Sequence, residues 1–160
     1  MRRHDPGIKL LDRALIEATL ARALSSPRGR TNHNFHENDL DNPHRFLNAI
    51  LRGSYCAPHC HSAPPKSETF LVLAGEVAVF LFDDTGAVVE THVLGRDGLV
   101  GIDIAPGRWH SIASLSERAV CFEVKPGPWD PASDKQFAPF APREGDAAAP
   151  AYLAHLLAGV

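Results

Sequence analysis

Apolar residues recur at helical spacing in the first part of the chain, between residues 8 and 24. Asp12 is placed to cap the start of this helix, and Pro27 follows its end. We therefore predict an N-terminal helix that packs on the outside of the domain or against a second subunit. Its apolar face would consist of Ile16, Leu20, Ala23 and Leu24.

From residue 45 onward the pattern changes to short apolar runs separated by Gly, Pro and Asp. Such runs are typical of β-strands, and Asp83-Asp-Thr-Gly86 is a hairpin turn between two of them. Many short strands without intervening helices favour a β-sandwich or a small closed barrel. The predicted strands are 45–51, 69–73, 77–82, 88–94, 99–104, 110–113 and 119–124.

The two ends of the chain are predicted to pack onto this β body. From Pro126 onward Pro and Ala dominate, which indicates an irregular tail on the surface. A chain of 160 residues suits one domain with its own core. Within it we expect a helix and polar loop (1–40), a barrel (41–128) and a tail (129–160). A last helical turn of the tail would dock through Tyr152, Leu153, Leu156 and Leu157.

Composition and charge exclude several classes of partner. Hydrophobic content of 44% and charged content of 22% are ordinary for a globular protein. The formal net charge of −3 offers no basic field for nucleic acid or an anionic membrane. No segment approaches the ~20 apolar residues of a membrane span, and residues 8–24 carry too many charges for a signal peptide. Three cysteines make no disulfide framework, so we expect a cytoplasmic protein.

The candidate chemistry centres on His59 and His61. These histidines are one residue apart on an extended segment, so their side chains should point the same way. Glu68 and His110, on neighbouring strands, would complete a set of three imidazoles and one carboxylate. Such a set suits a divalent transition metal (Zn, Fe, Ni or Mn) and leaves one or two coordination positions open.

Strand alternation extends this prediction to the neighbouring residues. Tyr55 and Ala57 should share the barrel interior with the two histidines, which would place Cys56 and Cys60 outside and argue against a Cys-His metal site. By the same alternation, Trp109 should face outward and pack under the tail.

The spacing of these residues resembles the two motifs of the cupin superfamily. Gly53, His59-x-His61, Glu68 and Gly75 match the first motif, and Pro106-Gly-x-x-His110 matches the second. The chain departs from the family pattern in having six residues between His61 and Glu68, and in the adjacency of Pro106 and Gly107. The resemblance implies an all-β fold: a cupin double-stranded β-helix (jelly-roll barrel) with an N-terminal helix and an irregular Pro-rich C-terminal tail.

A narrower resemblance covers most of the chain. It rests on Arg30-Thr-Asn-His-Asn-Phe-His36, Arg45-Phe-Leu, Gly53-Ser-Tyr, Pro58-His, Glu68-Thr-Phe, Trp109-His110, Phe122-Glu-Val-Lys-Pro-Gly-Pro128 and Phe137-Ala-Pro-Phe-Ala-Pro142. Together these segments are similar to the WbuC-like cupin metalloproteins, which also carry the Pro-containing insertion before Glu68. Members tend to accompany surface-polysaccharide (O-antigen) biosynthesis, so the resemblance implies a small-molecule ligand related to a sugar.

Five further residues are candidates for contact with a substrate. Glu123 would act as a general base or orient a ligand histidine if it faces inward, and would be a solvent-facing carboxylate on an edge strand otherwise. His36 could move protons, and Tyr55 could donate a hydrogen bond to a ligand. Arg30 and Arg45 could bind an anionic group, or could be ordinary surface arginines.

Several functions are compatible with these residues. The first is a metal-dependent isomerase or epimerase acting on a sugar or nucleotide-sugar intermediate, with a mononuclear iron oxygenase as its neighbouring variant. The second is a non-enzymatic module that binds metal and sugar. A base within reach of the cavity favours the enzyme, whereas a cavity lined only by ligands and apolar groups favours the module. A metal-free epimerase comes last because the ligand set is intact. We expect a homodimer.

Overall fold

Two antiparallel sheets of five strands form the body of the computed structural model, which describes residues 7–160. In chain order the elements are α1 (Arg13–Leu24), β1 (Arg30–Asn34), β2 (His44–Leu51), β3 (His59–Cys60), β4 (Glu68–Ala74), β5 (Val77–Phe82), β6 (Val88–Leu94), β7 (Gly101–Ile104), β8 (Trp109–Ser114), β9 (Arg118–Lys125), β10 (Gln136–Phe137) and α2 (Ala149–Leu157). The first sheet has the order β1-β2-β9-β4-β7, and the second β10-β3-β8-β5-β6. The predicted all-β class is confirmed.

The apolar core lies between the sheets and consists of alternate residues from the facing strands. Strand β5 shows the arrangement, because Val77, Val79 and Leu81 belong to this inner core. The intervening residues Ala78, Phe80 and Phe82 belong to a second cluster, under α2. Both faces of β5 are therefore covered, and all six of its residues are buried.

Helix α1 packs on the outer face of the first sheet. Leu20 and Ala23 are buried against a cluster that includes Val120 of β9. The Asp12 side chain caps the helix by accepting a hydrogen bond from the Leu15 N–H at 2.9 Å, as predicted. Leu24 is 65% exposed, so its predicted place on the buried face is wrong. The buried face is instead Thr19, Leu20 and Ala23.

The C-terminal tail covers the outer face of the second sheet. Leu153 and Leu156 of α2 pack in one cluster with Phe80 and Phe82. Upstream in the tail, Phe140 contacts the ring of Trp109 at 5.9 Å between centroids. Trp109 therefore packs under the tail, as its predicted outward direction requires.

Strand β1 corrects one expectation from the sequence. Residues 30–34 were expected to be polar loop, but they pair along their whole length with β2. The alternation of apolar and polar residues is missing from this strand because Asn32 and Asn34 line a polar cavity. In the described part of the chain, no helix is both long and apolar enough to cross a membrane.

Gly75, predicted as part of the first cupin motif, lies in a turn where a side chain would clash. Its φ is +74°, and an added Cβ would lie 2.6 Å from the Arg118 carbonyl oxygen. Gly98 has a similar φ of +83° but has nothing within 4 Å of the added Cβ. We predict that Gly98→Ala loses about 1 kcal/mol from left-handed strain alone. Gly75→Ala should lose a further 1–3 kcal/mol, roughly the cost of overpacking.

Urea unfolding of both variants measures this difference. Equal losses of free energy of unfolding in the two variants would show that the close approach at Gly75 has no energetic weight.

Candidate metal centre and its cavity

Three histidines and one glutamate meet at the end of the barrel interior where β3, β4 and β8 lie close together. His59 of β3 pairs in register with His110 of β8, while His61 follows β3 and Glu68 begins β4. All four side chains are buried, and one potential ligand atom from each lies within 4.8 Å of the others. The fold therefore brings together the four residues that the sequence predicts as metal ligands.

Backbone carbonyl groups fix the tautomer of each imidazole. Nδ1 of His59 donates to Ala57 O at 2.9 Å, Nδ1 of His110 donates to Arg108 O at 2.9 Å, and Nδ1 of His61 donates to Asp134 O. A carbonyl oxygen only accepts hydrogen bonds, so each Nδ1 must carry the proton. The Nε2 lone pairs are then left to face one another.

The Nε2 atoms and Glu68 form an arrangement that needs a cation. Nε2 of His59 and Nε2 of His61 are buried and have no hydrogen-bond partner within residues 7–160. Nε2 of His110 lies 2.9 Å from Glu68 Oε2, and Nε2 of His61 lies 3.5 Å from the same oxygen. Lone pairs directed at a carboxylate repel it unless a proton or metal ion lies between them. The donor set therefore fits a divalent transition metal.

The protonation states of these groups also suit metal binding. The pKa of His59 is well below its ordinary value, first because of burial and then because of the charge of Lys135. Burial alone would raise the pKa of Glu68, but its contacts with the His110 and His61 imidazoles outweigh burial, and the pKa is well below its usual range. A neutral imidazole and an ionised carboxylate are the forms that coordinate metals.

A polar cavity of about 720 Å³ lies beside this group, and Glu123 connects the two. The Glu123 side chain lines the cavity, accepts a hydrogen bond from Asn48 Nδ2 at 3.0 Å, and hydrogen-bonds with the carboxylate of Glu68. Its pKa is well above the ordinary value, because of burial first and the charge of Glu68 second. Strand β9 lies between β2 and β4, so the alternative of an edge-strand carboxylate in solvent is wrong.

A buried ionic network, which we did not predict, supports the group from the tail. The Asp134 carboxylate accepts a hydrogen bond from Lys66 Nζ at 2.9 Å and another from Lys125 Nζ at 3.0 Å. Lys125 Nζ also lies 3.8 Å from Glu68 Oε1. The spacing of Lys125 from Glu123, two residues along one strand, could have indicated its direction. Asp134 gave no such indication, because it lies in an irregular segment.

His36 and Arg30, two of the remaining candidates, line the cavity. His36 is buried and stacks on His44 with 4.0 Å between ring centroids and 10° between planes. The Arg30 guanidinium is already engaged, because it donates to the Tyr55 carbonyl oxygen and pairs with Glu144 Oε2 at 2.5 Å.

Tyr55 does not lie in the barrel interior as expected, and Arg45 is the surface arginine that the sequence also allowed. Tyr55 lies in the cluster under α2, and its hydroxyl donates to Pro142 O at 2.8 Å. Cys56 instead packs against the inner core and lines the cavity. Residues 55–58 are not in a strand, so alternation cannot be extended from His59 back to Tyr55. Arg45 is exposed and alternates with Phe46, which lines the cavity, so it faces away from the cavity.

Comparison with known proteins identifies the family. A family model described as "Domain of unknown function (DUF6016)" matches residues 11–94, slightly more than half of the chain. The chain belongs to this family. No match was found among curated proteins. The matched residues of the family include His59, His61 and Glu68 but end before His110.

Solved structures that are similar to this member of the family have the cupin fold. L-ribose isomerase from Cellulomonas parahominis has a TM-score of 0.58 at 15% identity, with 72% of each chain covered. Recombinant oxalate oxidase with glycolate has a TM-score of 0.53 at 20% identity, covering 72% of this chain and 58% of that chain. The capsular polysaccharide assembling protein CapF from Staphylococcus aureus has a TM-score of 0.54 at 20% identity, covering 67% and 31%.

At these identities the likeness shows the fold, and it confirms the predicted cupin jelly roll. The chain spans about a third of the length of the CapF chains that it matches. The narrower WbuC-like resemblance stays a prediction.

The ionic network generates a prediction about stability. Asp134→Asn would leave the ammonium groups of Lys66 and Lys125 buried without a carboxylate between them, so it should cost roughly 3–5 kcal/mol of unfolding free energy. Glu17→Gln is the matched control, because it removes an ion pair with Arg118 in which both side chains are 52% exposed. That change should cost less than about 1 kcal/mol.

Urea unfolding at neutral pH compares the two variants. The importance of the buried network is refuted if Asp134→Asn loses no more than Glu17→Gln.

Proposed function

We propose that the protein is a metal-dependent isomerase or epimerase that moves a proton on a small hydroxylated carbonyl compound derived from a sugar. The observation that carries this proposal is the position of Glu123. Its carboxyl group lies in the cavity wall and hydrogen-bonds with Glu68 of the candidate metal centre. A buried carboxyl group that faces a cavity beside a metal is placed for general acid–base catalysis.

Glu123 also favours an enzyme over a module that only binds metal and sugar. A binding module needs metal ligands and walls of matching shape, and burying a further carboxyl group would weaken it without benefit. Here the extra carboxyl is retained on a central strand, held by Asn48 at 3.0 Å. A group held in this way has the fixed geometry that proton transfer requires.

His59, His61, Glu68 and His110 would hold the metal. When bound, a divalent ion supplies a Lewis acid that polarises a carbonyl oxygen. The three Nδ1–H bonds to backbone carbonyls hold the imidazole rings in place and leave Nε2 as the ligand atom. Four protein ligands would leave one or two coordination positions open for water or a substrate.

The proton transfer itself belongs to Glu123. A metal ion on Glu68 would neutralise the charge that helps to raise the pKa of Glu123, so Glu123 would be ionised in the loaded protein. The Glu123 carboxylate would then remove the proton from the carbon next to the substrate carbonyl, and the electron pair of the broken C–H bond would pass to that carbonyl. Glu123 then returns the proton to the former carbonyl carbon, while the proton of the adjacent hydroxyl group moves to the former carbonyl oxygen, which gives isomerisation. Return of a proton to the opposite face of the first carbon would give epimerisation, and His36 lines the cavity as the candidate donor. Neither route needs an oxidant.

The cavity walls are compatible with a sugar-derived ligand. Polar side chains alternate there with the aromatic rings of Phe46, Trp129 and Phe137, and sugar rings pack on aromatic faces while their hydroxyl groups bond to polar ones. The volume of about 720 Å³ is in the usual range for small-molecule sites. The WbuC-like resemblance and the names of CapF and L-ribose isomerase support an intermediate of surface polysaccharide (O-antigen) biosynthesis, such as a sugar or nucleotide-sugar.

Hydrogen–deuterium exchange tests this proposal without knowledge of the product. The metal-loaded protein is incubated in D₂O with a panel of aldoses, ketoses and sugar phosphates, and NMR follows the C–H groups next to the carbonyl. We predict that the wild-type protein exchanges the proton of at least one compound. Glu123→Gln should slow this exchange by about 10²- to 10⁴-fold while the metal stays bound.

Glu117→Gln is the control, since Glu117 is an exposed glutamate outside the cavity wall. It should exchange at the wild-type rate. Wild-type protein that exchanges nothing, or a Glu123→Gln variant that exchanges at full rate, would remove Glu123 from the chemistry.

We further propose that the protein works as a cytoplasmic homodimer. Leu71 and Leu73 on the outer face of β4 are 43% and 41% exposed, beyond the part of the sheet that α1 covers. Burial of such residues in a symmetric interface would stabilise a dimer. Sedimentation equilibrium should give about twice the 17.3 kDa of one chain, and a single species at 17.3 kDa would contradict the dimer.

A further inference from the structure

Among the described residues, Lys135 is a cation of the cavity wall for which the protein supplies no carboxylate partner. It is half-buried, lines the cavity, and takes part in no hydrogen bond or ion pair within residues 7–160. The other lysine of the wall, Lys125, is paired with Asp134 at 3.0 Å. Arg28 and Arg30 of the wall both pair with Glu144, each at 2.5 Å.

The charge of Lys135 acts on both parts of the site. It contributes to the low pKa of His59 in the candidate metal centre, and it partly offsets the burial that raises the pKa of Glu123 in the cavity wall. Lys135 follows directly after Asp134, whose carbonyl oxygen accepts the Nδ1 hydrogen bond of His61. Backbone that is fixed in this way limits how far the ammonium group can move from the centre.

A second unused group lies in the same wall. Oδ1 of Asn48 is buried and accepts no hydrogen bond from residues 7–160, while Nδ2 of the same amide donates to Glu123. A buried acceptor without a donor costs free energy, which a hydroxyl group of a ligand would recover. The wall therefore presents one unpaired cation, Lys135, and one unpaired acceptor, Asn48 Oδ1.

We propose that the cavity selects an acidic hydroxylated ligand, in which a carboxylate or phosphate binds Lys135 and a hydroxyl group donates to Asn48 Oδ1. This inference rests on the proposed function and narrows its substrate class to sugar acids or sugar phosphates over neutral sugars. Lys135 determines specificity, because its ammonium group has no carboxylate partner in the described chain and an anionic group of a ligand would supply one.

Calorimetric titration of the metal-loaded protein tests the inference with D-glucose, D-gluconate and D-glucose 6-phosphate as probes. At least one of the two acids should bind about 10- to 100-fold more tightly than glucose, the range of a hydrogen bond to a charged group. The two acids distinguish a preference for carboxylate from one for phosphate.

Substitutions test whether Lys135 and Asn48 cause the preference for acidic ligands. Lys135→Gln should remove the advantage of the acid and leave the affinity for glucose unchanged, whereas Lys135→Arg should retain most of it. Asn48→Ala should weaken all three probes, because each carries hydroxyl groups. Lys9→Gln is the matched control, since Lys9 is an exposed lysine outside the wall, and it should leave all affinities unchanged.

The inference is overturned if neither acid binds more tightly than glucose, or if Lys135→Gln leaves the preference intact. Either result is separable from failure of the proposed function, which depends on proton exchange by Glu123. If the protein exchanges protons of neutral sugars and Lys135→Gln leaves its affinities unchanged, the proposed isomerase function stands and the proposed preference for acids is wrong.

Discussion

Three hydrogen bonds from imidazole Nδ1 groups to backbone carbonyls determine what the centre of this protein can do. Because the carbonyls of Ala57, Arg108 and Asp134 only accept, each imidazole is held with Nε2 unprotonated. The three Nε2 atoms then converge on one another and on Glu68, where repulsion between lone pairs must be relieved by a cation. His59 and His110 are also in register on neighbouring strands, and all four side chains of the group are buried.

The C-terminal segment is part of the centre and not only a cover. Asp134 lies beyond the last long strand, yet its carbonyl oxygen orients His61 and its carboxylate neutralises Lys66 and Lys125. Lys125 in turn lies 3.8 Å from Glu68, so the ion network extends from the tail to the candidate metal ligands. Buried charges are tolerated when each has a partner of opposite charge. Here Asp134 of the tail is the partner of both lysines.

The sequence was informative where one local rule decides the structure. Strands β5 and β6 have the predicted bounds, and the spacing of His59, His61, Glu68 and His110 was enough to nominate the metal group. It was uninformative where a strand faces the polar cavity, because apolar and polar residues do not alternate there. Asn32 and Asn34 face the cavity, so β1 lacks apolar alternation and was expected to be a loop.

Contacts across long separations could not be predicted either. Tyr55 was placed inside by counting back from His59 through residues that are not a strand, and it packs instead under the tail. Asp134 meets His61 across 73 residues of chain, and no pattern near either residue indicates that pairing. The sequence alone does not decide the direction of Glu123, because that direction depends on β9 being a central strand.

Elemental analysis determines whether the three histidines and Glu68 hold a metal ion. The untagged protein is purified without a chelating resin, beside His61→Ala and beside His155→Ala, which removes an exposed histidine of α2. We predict close to one divalent transition metal per chain in the wild type and in His155→Ala, and its loss in His61→Ala, with circular dichroism reporting that all three are folded. The identity of the metal then directs the assay, since iron would favour oxygen chemistry, and zinc, manganese or nickel would favour isomerisation. Absence of metal from the wild type, with none taken up on addition, would show that these four residues do not form a metal site.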